Sequence, residues 1–473
     1  MTEKILVLLP IGTHKPILEL NISYADNLIK AGHDVMLLTC GAKQDACHYN
    51  PLGLPATCRK CKKRTRKGLE RLSGNYQLTE TGSYNTPSFS YRNMDELKSI
   101  THLDTNVGYS ALSTYASLTR SANIDFNNIK TRKVIDFYIH TACQVAETTK
   151  ELQNKFNFDK FVLFNARFNT YRSFFDTAIN QDIPVDVLEM NYSRENAMIF
   201  QNAMPHDISC NAEHIRNLYD RTAAEQAQES AEKFFKSRAQ SLFSNEASHT
   251  QNQDANLMPS DWDENRKNIV IFNSSEDEFM AIGGEWESDK LFINQYDGLR
   301  FISNYAKSID THFYLRIHPN LTGTQQSYLD SLSELSHSRF TVIPAESKIS
   351  TYSLLFRCDQ VITFGSSTGV EATYWGKPSI LLGTCFYKHL GVTYAPETTG
   401  ELVELLESDL LPIDNKLGCI KMVNHMMNPG MPVSGYSFKG GKGYMNGERI
   451  PKGRSVLQKL ESKYMKRYLK EIR

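Results

Sequence analysis

The segment QVITFGSSTGVEATYWGKPSILLG, from Gln360 to Gly383, reads as a strand, a glycine-containing turn, a short helix and a second strand. Both strand candidates are continuous apolar runs, which are typical of strands buried on both faces. A helix between two buried strands is the connection that a parallel sheet requires. The segment therefore predicts an α/β fold for this part of the chain.

The same alternation recurs along the 473 residues. The other apolar strand candidates are KILVLLP, HDVMLLTC, KFVLFN, VDVLEM, NIVIFN, HFYLRIHP and FTVIPA. We predict an α/β protein with two Rossmann-like domains that face each other across a cleft. The predicted parts are an N-terminal domain over 1–243 with a cysteine-rich insertion over 40–61, a polar linker over 244–267, a C-terminal domain over 268–420, and a tail with a basic helix over 421–473.

Composition narrows the class of partner and the compartment. The formal net charge is zero, so nucleic acid is not expected as a partner. No run of about 18 apolar residues predicts a membrane span. The nine cysteines, without a recognisable signal peptide, favour a reducing cytoplasm. The basic tail helix VLQKLESKYMKRYLKEI could contact acidic lipid at the inner membrane, or could be a solvated helix face.

The glycine-containing turn of the opening segment is a candidate anion site. Gly365, Ser366, Ser367 and Thr368 follow a predicted strand and begin a helix. The N-terminus of a helix presents unpaired N–H groups and the positive end of the helix dipole, which suits a phosphate. Glu371, one turn further on, could accept hydrogen bonds from ribose hydroxyls. The alternative is a serine-capped helix with no ligand.

Two further polar groups follow predicted strands of the same domain. They are Asn273, Ser274 and Ser275 after NIVIF, and Arg316, His318 and Pro319 at the end of HFYLRIHP. Arg316 and His318 share one face of a strand because side chains alternate with a period of two. A single ligand could contact all of these groups, since the carboxyl ends of parallel strands lie at one edge of the sheet. Exposed residues at strand ends are the alternative interpretation.

RIHPN and the opening segment together resemble the nucleotide-sugar domain of GT-B glycosyltransferases over roughly 268–395, most of all bacterial capsule and lipopolysaccharide biosynthesis proteins. The His-Pro pair and the paired serines are similar to the motifs with which sialyl- and Kdo-transferases hold a CMP-sugar. The resemblance implies that His318 and Pro319 hold the cytidine part and that 366–368 hold the phosphate. Glu371 is similar to the ribose-binding acidic residue of other GT-B enzymes. Non-hydrolysing UDP-sugar epimerases and wall-teichoic glycerophosphotransferases share parts of the pattern, so the donor stays open.

The start of the chain is similar to the first βαβ unit of GT-B enzymes, in which a histidine after the first strand often deprotonates the acceptor hydroxyl. The matching residue is His14, and an imidazole suits such a base at neutral pH. Because sialyl- and Kdo-transferases often use a carboxylate instead, Glu19 and Glu189 are further candidates. Asn165 and Arg167 follow another strand and could bind an anionic acceptor sugar. A loop histidine that only caps the helix is the alternative for His14.

Four cysteines form a cluster in the sequence. Cys58 and Cys61 have the C-x₂-C spacing of a zinc knuckle, and Cys40 and Cys47 could complete four thiolates. A structural zinc ion would replace a core that this turn-rich segment lacks. The spacings of the other two cysteines are not those of a standard zinc finger, so unligated thiols are the alternative.

The resemblance implies a glycosyltransferase that moves a sugar from a nucleotide-sugar donor to a surface polysaccharide or a lipid-linked glycan. The first domain would hold the acceptor, and no catalytic metal need assist, because no DxD-type site stands out. Two other classes share the fold. A UDP-sugar 2-epimerase would need no acceptor, and a non-catalytic subunit of a polysaccharide assembly complex would bind no nucleotide.

Overall fold

The computed structural model describes residues 2–240, 253–288, 290–322, 326–451, 453 and 455–472. The chain divides into two compact units. Unit 1 comprises Met1–His206, Met280–Ile282 and Pro429–Arg473, and unit 2 comprises Asp207–Phe279 and Gly283–Asn428. None of the described helices combines the length and the apolar character needed to cross a bilayer.

Unit 1 contains a six-stranded sheet. Its strands are β1 (Lys4–Leu9), β2 (Asp34–Thr39), β3 (Gln77–Glu80), β4 (Lys160–Phe164), β5 (Val185–Met190) and β6 (Ala197–Gln201), in the order β3-β2-β1-β4-β5-β6. Neighbouring strands are parallel except for β6, which pairs antiparallel with β5. The central strand β1 is buried from Ile5 to Leu9, as its uninterrupted apolar sequence predicts.

Helices cover this sheet and extend beyond it. They are α1 (Ile17–Lys30), α2 (Pro55–Leu69), α3 (Met94–Lys98), α4 (Val107–Thr119), α5 (Ile129–Phe156) and α6 (Arg172–Asn180). The long α5 packs against α4 through a core that includes Ala111, Leu112, Val134 and Tyr138.

Unit 2 contains a five-stranded sheet in which every neighbouring pair is parallel. Its strands are β7 (Lys267–Phe272), β8 (Thr311–Arg316), β9 (Phe340–Ile343), β10 (Gln360–Thr363) and β11 (Ser379–Leu381), in the order β11-β10-β7-β8-β9. Its helices are α7 (Ile208–Asp220), α8 (Ala224–Ala239), α9 (Glu285–Ser288), α10 (Gln295–Ala306), α11 (Gln326–Ser333), α12 (Thr351–Arg357), α13 (Thr368–Tyr374), α14 (Thr399–Glu407) and α15 (Lys416–Met427). Two α/β units with parallel sheets confirm the predicted fold class.

The compact units have different limits from the domains drawn from composition. Helices α7 and α8 belong to unit 2, because their few apolar side chains, among them Ile215, Phe234 and Phe235, pack in one cluster with Val423 of α15. The chain after residue 428 returns to unit 1, where it forms the hairpin β12 (Tyr436–Lys439) and β13 (Lys442–Met445) and the helix α16 (Val456–Lys470).

Of the predicted linker over 244–267, residues 253–267 contact the rest of unit 2. Residues 244–252 lie outside the described residues. The Gln253 side chain accepts a hydrogen bond from the Thr351 N–H at 2.8 Å, and the Asp261 carbonyl accepts one from the Tyr314 hydroxyl at 2.9 Å. Trp262 packs against the core of unit 2. The two hydrogen bonds join residues that are 98 and 53 positions apart in the chain. The polar composition of the segment alone does not predict such contacts.

Candidate functional site

Polar side chains gather at the carboxyl ends of three neighbouring parallel strands of unit 1. His14 follows β1, Asn165 follows β4, and Glu189 lies near the end of β5. These strands are adjacent in the order β1-β4-β5, so three residues predicted from the sequence share one edge of the sheet. We call this group, together with Arg167 and His48, the unit 1 site.

The Asn165 amide positions the carboxylate of Glu189. Asn165 and Ala166 both have left-handed backbone conformations, with φ of 63° and 65°, which turn the chain sharply after β4. Asn165 Nδ2 donates to Glu189 Oε2 at 2.7 Å, and the Met190 N–H donates to Glu189 Oε1 at 2.9 Å. Burial raises the pKa of Glu189, against the lowering effect of these hydrogen bonds and of the Arg167 charge.

Two histidines of the unit 1 site are partly buried and neutral. Burial lowers the pKa of His14 to about 3, and the charges of His48 and Arg194 act in the same direction. Burial lowers the pKa of His48 to about 4, again with help from a cation, Arg167. His14 lies against Tyr49, with 4.7 Å between ring centroids. Both imidazoles therefore carry a free electron pair at neutral pH.

Buried polar atoms of this site lack a hydrogen-bond partner among the described residues. They include His14 Nδ1, His48 Nδ1 and Asn165 Oδ1. Such atoms are costly to bury unless something satisfies them, so they mark positions where hydroxyl groups of a ligand could bind. Arg167, which is buried and lies over the Phe168 ring, adds positive charge. The combination suits a hydroxylated ligand that carries an anionic group.

Sequence reasoning did not find every residue of this region. His48 and Tyr49 lie in the cysteine-rich segment, where the sequence pattern indicates only the thiols. Arg194 acts on His14 through its charge, and the charge of Arg167 helps to lower the pKa of His206 well below its ordinary value, after burial as the main cause. No periodic pattern distinguishes these four residues, because they come from irregular loops that the sheet brings together.

Glu19 is not part of the unit 1 site, which corrects the prediction that it could act as a base. Its carboxylate is buried and accepts from the Arg64 guanidinium, which also donates to the Gly12 carbonyl. Glu19 is on α1 and Arg64 is on α2, so the ion pair joins these two helices. Its position on the packed face of α1 gives it a structural role.

In unit 2, polar groups lie at the carboxyl ends of β7, β8 and β10. The Asn273 Oδ1 accepts from the His318 N–H at 2.7 Å, and the Ser274 hydroxyl donates to the Phe364 carbonyl at 3.1 Å. The residues predicted after three separate strands are thus brought together, with Pro319 beginning a 3-10 turn. We call Asn273, Ser274, Ser275, His318 and the turn 365–368 the unit 2 site.

Two buried polar atoms of the unit 2 site have no hydrogen-bond partner among the described residues. They are Asn273 Nδ2 and Ser275 Oγ. Asn273 is 1% and Ser275 5% exposed, so solvent hardly reaches either side chain. One atom is a donor and the other is both a donor and an acceptor, which suits phosphate or sugar oxygens.

The glycine-containing turn is held by its own side chains. Gly365 has φ of 112°, and a Cβ there would lie 3.0 Å from the Thr384 carbonyl oxygen. The Thr363 hydroxyl accepts from the N–H groups of Gly365 at 3.3 Å and Ser366 at 2.9 Å. The Thr368 hydroxyl donates to Ser366 Oγ at 2.9 Å. The Thr368 N–H also donates to Ser366 Oγ, at 3.4 Å, so three of the backbone donors predicted to bind an anion are used within the turn.

Glu371 does not face a ligand, which corrects its predicted contact with ribose. The carboxylate is 1% exposed and forms an ion pair with Arg238, with 3.0 Å between Oε1 and Nη2. Hydroxyls of Tyr352 and Ser367 also donate to it. The charge of Glu371 raises the pKa of Arg238 above its ordinary value. These contacts join α8, α12 and α13, so the glutamate holds unit 2 together.

Arg316 likewise has a structural environment. Its guanidinium is buried and donates to the backbone carbonyls of Ile317, Pro344 and Ser347. Burial lowers its pKa to about 10. The predicted pairing of Arg316 with His318 on one ligand is not favoured, because the arginine turns toward the loop after β9.

The four clustered cysteines line one cavity of about 480 Å³ in unit 1. Among the residues that the structure describes, no three or more His, Cys, Asp or Glu side chains are arranged to hold a metal ion. The single zinc site predicted from the spacing therefore remains a prediction without geometric support.

Residues 193–401 match the family model of the capsule polysaccharide biosynthesis protein. The predicted resemblance is confirmed for this segment. The matched segment is shorter than half of the 473 residues, and it contains the whole unit 2 site together with Arg194 and His206. No curated protein matches the chain.

Several solved structures are similar at low identity. The KpsC beta Kdo 2,4 transferase of Thermosulfurimonas dismutans is 14% identical, with a TM-score of 0.36 over 57% of this chain and 80% of that chain. The beta Kdo 2,7 transferase of the same KpsC is 16% identical, with a TM-score of 0.32 over 53% and 73%. The UDP-GlcNAc 2-epimerase of Neisseria meningitidis is 11% identical, with a TM-score of 0.26 over 89% and 98%. Likenesses at these scores carry no argument about activity.

Proposed function

We propose that this protein is a glycosyltransferase of capsule polysaccharide biosynthesis, which moves a sugar from a nucleotide-sugar donor to a glycan or glycolipid acceptor. The observation that carries the proposal is the match of 193–401 to capsule biosynthesis proteins, because this segment contains the unit 2 site. Its polar groups lie at the carboxyl ends of β7, β8 and β10, where open α/β sheets bind their ligands.

The unit 2 site is proposed to bind the donor. Asn273 Nδ2 and Ser275 Oγ, both buried and unpartnered among the described residues, supply hydrogen bonds to phosphate or sugar oxygens. The resemblance assigns the cytidine part to His318 and Pro319, and a CMP-linked sugar is our first choice of donor. Arg316 and Glu371 are left out of the ligand set because their polar atoms are bound within unit 2.

The unit 1 site is proposed to bind the acceptor and to supply the base. In the transfer, the acceptor oxygen bonds to the anomeric carbon while the bond from that carbon to the phosphate oxygen breaks. The acceptor proton goes to the base, and the nucleotide leaves with the electron pair. Glu189 is favoured over His14, because burial raises the glutamate pKa and so strengthens this carboxylate as a base, whereas a histidine with a pKa of about 3 is a weak base.

Nucleotide binding tests the proposal first. We would measure the unfolding midpoint with CMP, CDP, UDP and GDP, since a ligand that binds only the folded state raises it. We expect CMP to raise the midpoint, and His318→Ala but not the control Ser333→Ala, on the exposed end of α11, to abolish this effect. A preference for UDP would favour the epimerase class. No response to any nucleotide would refute the donor site and favour a non-catalytic subunit.

A transfer assay then tests the base. Glu189→Gln keeps the size of the side chain and removes its charge, so we expect transfer to fall while CMP binding in unit 2 is unchanged. His14→Gln should weaken acceptor binding more than the chemical step. If Glu189→Gln transfers sugar at the wild-type rate, Glu189 is not the base.

We further propose that α16 contacts an anionic membrane surface. Val456, Leu457, Leu460 and Tyr464 are between 56% and 76% exposed on this helix. Exposed apolar side chains on a lysine-rich helix are typical of segments that lie in the membrane interface. Glu461, on the same helix, caps α2 by accepting from the N–H groups of Ala56 at 2.8 Å and Thr57 at 2.7 Å. The contact fixes α16 beside a second basic helix.

A basic cavity of about 250 Å³ lies beside these apolar side chains. Arg59, Lys60, Lys63 and Lys67 of α2 line it together with Leu457. Several cations next to an apolar face match a lipid with an anionic head group.

Vesicle sedimentation tests the membrane contact. We expect binding to vesicles that contain phosphatidylglycerol and little binding to phosphatidylcholine alone. The double change Leu457→Ser and Leu460→Ser should abolish it, whereas Leu411→Ser, at a residue of unit 2 that is 77% exposed, should not. Equal binding to both vesicle types, or an equal loss with Leu411→Ser, would refute the contact.

A further inference from the structure

The fold brings four cysteines from three separate elements to one place in unit 1. Cys40 directly follows β2, Cys47 lies in the next loop, and Cys58 and Cys61 are one turn apart on α2. All four line the cavity of about 480 Å³. The five remaining cysteines are elsewhere, and all nine are free of disulfide bonds. The cluster is therefore a product of the tertiary structure and not only of the sequence spacing.

Each of the two sulfurs on α2 accepts an N–H hydrogen bond. The Gly12 N–H donates to Cys61 Sγ at 3.1 Å, and Asn50 Nδ2 donates to Cys58 Sγ at 3.1 Å. Gly12 is placed by Arg64, which donates to its carbonyl. A neutral thiol is a weak acceptor, whereas metal-bound thiolates are commonly surrounded by such donors, which tune the metal.

The other two sulfurs also lie against backbone donors. The Cys40 sulfur lies near the backbone N–H groups of residues 42, 43 and 44, and the Cys47 sulfur lies near that of Tyr49. The turn after Cys40 has left-handed conformations at Gly41 (φ 63°) and Ala42 (φ 64°), which direct several successive N–H groups to one side. All four sulfurs thus have a hydrogen-bond donor suited to a thiolate.

Four thiolates at this position would carry four negative charges. The cavity that the cysteines line also has two cations in its wall, Lys62 and Arg66. A bound metal would supply the remaining positive charge, because metals bind cysteines as thiolates.

We propose that Cys40, Cys47, Cys58 and Cys61 ligate an iron–sulfur cluster. Four thiolates without other ligands select either zinc or an iron–sulfur cluster. A zinc ion needs its four sulfurs about 2.3 Å from one point, and no group of this kind exists among the described residues. An iron–sulfur cluster instead fills a cavity and holds its thiolates apart, which agrees with four cysteines that line one cavity.

The cluster would support the unit 1 site without taking part in transfer. His48 and Tyr49 follow Cys47 directly, and Tyr49 lies against His14. A metal bound to Cys47 would hold this loop to β2 and α2 and so fix both rings. The metal site is independent of the proposed function, because its ligands and its test do not involve sugar transfer.

Metal analysis of the full chain tests the proposal. We would purify it without oxygen, measure iron, zinc and acid-labile sulfide, and record the visible absorption spectrum. We expect iron and sulfide in equal amounts and a broad visible absorption band. Cys47→Ser and Cys61→Ser should lose both, whereas Cys210→Ser, at a cysteine of unit 2, should keep both.

The wild-type protein decides the question even if a variant does not fold. One zinc ion per chain without sulfide would overturn the cluster and restore the single-ion site expected from the spacing. A metal-free wild-type protein would overturn metal binding altogether. If Cys47→Ser and Cys61→Ser keep all of their iron, other residues ligate the cluster and the assignment is refuted.

Discussion

Replacing Ser275 with alanine separates ligand binding from folding at the unit 2 site. The Ser275 hydroxyl is 5% exposed and has no hydrogen-bond partner among the described residues. The substitution removes one oxygen and no hydrogen bond of the folded protein. A buried hydroxyl without a partner costs about 1–3 kcal/mol. We therefore expect the free energy of unfolding of Ser275→Ala to equal or exceed that of the wild type.

Binding should change in the opposite direction. A hydrogen bond to a charged ligand group contributes about 1.5–3 kcal/mol. At about 1.4 kcal/mol for each factor of ten, losing it weakens nucleotide binding roughly 10- to 140-fold. A bond to an uncharged sugar hydroxyl contributes about 0.5–1.5 kcal/mol, and the loss is then roughly 2- to 12-fold. The size of the loss therefore distinguishes phosphate from sugar.

Two measurements on the same protein give the answer. Urea unfolding gives the free energy of unfolding, and titration calorimetry gives the Kd for the nucleotide that stabilises the wild type. Ser333→Ala is the control: this exposed serine donates only to the Leu329 carbonyl of its own helix α11, so its loss should leave the Kd unchanged and alter the free energy of unfolding little. Wild-type affinity in Ser275→Ala would refute the contact, and a large loss of stability would show that the hydroxyl has a partner in the folded protein.

Three other predictions concern stability. Glu371→Gln leaves Arg238, whose side chain is 30% exposed, without its counter-charge and should lower the free energy of unfolding measured in urea by about 1–3 kcal/mol; an unchanged free energy would contradict a stabilising ion pair. Gly12→Ala should lower stability and metal content together, because a Cβ would lie 2.1 Å from Thr65 Oγ1; unchanged metal would contradict the link to Cys61. Because His14 and His48 have folded-state pKa values below their unfolded values, the folded state binds fewer protons, and stability should fall as pH falls from 6.5 toward 4. Each contributes a slope of about 1.4 kcal/mol per pH unit, and His48→Gln should reduce the measured slope.

The pattern of apolar runs was enough to predict much of the fold. Strands that are buried on both faces need continuous apolar sequence. The runs KILVLLP and QVITF therefore predict parallel sheets from the sequence alone. Polar residues directly after such runs must lie at one edge of the sheet, and this rule placed His14, Asn165 and Glu189 together and Asn273 next to His318. The boundary between the units was missed, because a few apolar side chains in α7 and α8 decide their packing and the polar majority obscures them.

The sequence by itself determined two α/β units with parallel sheets, and it determined which strand ends carry polar groups. Tertiary structure alone decided which of those groups are open to a ligand. Glu371 forms an ion pair with Arg238, 133 residues away in the chain, and Glu19 forms one with Arg64, 45 residues away. A carboxylate near a strand end looks the same in sequence whether or not a distant cation has been packed against it. Only the fold brings these charges together, and burial then makes their pairing obligatory.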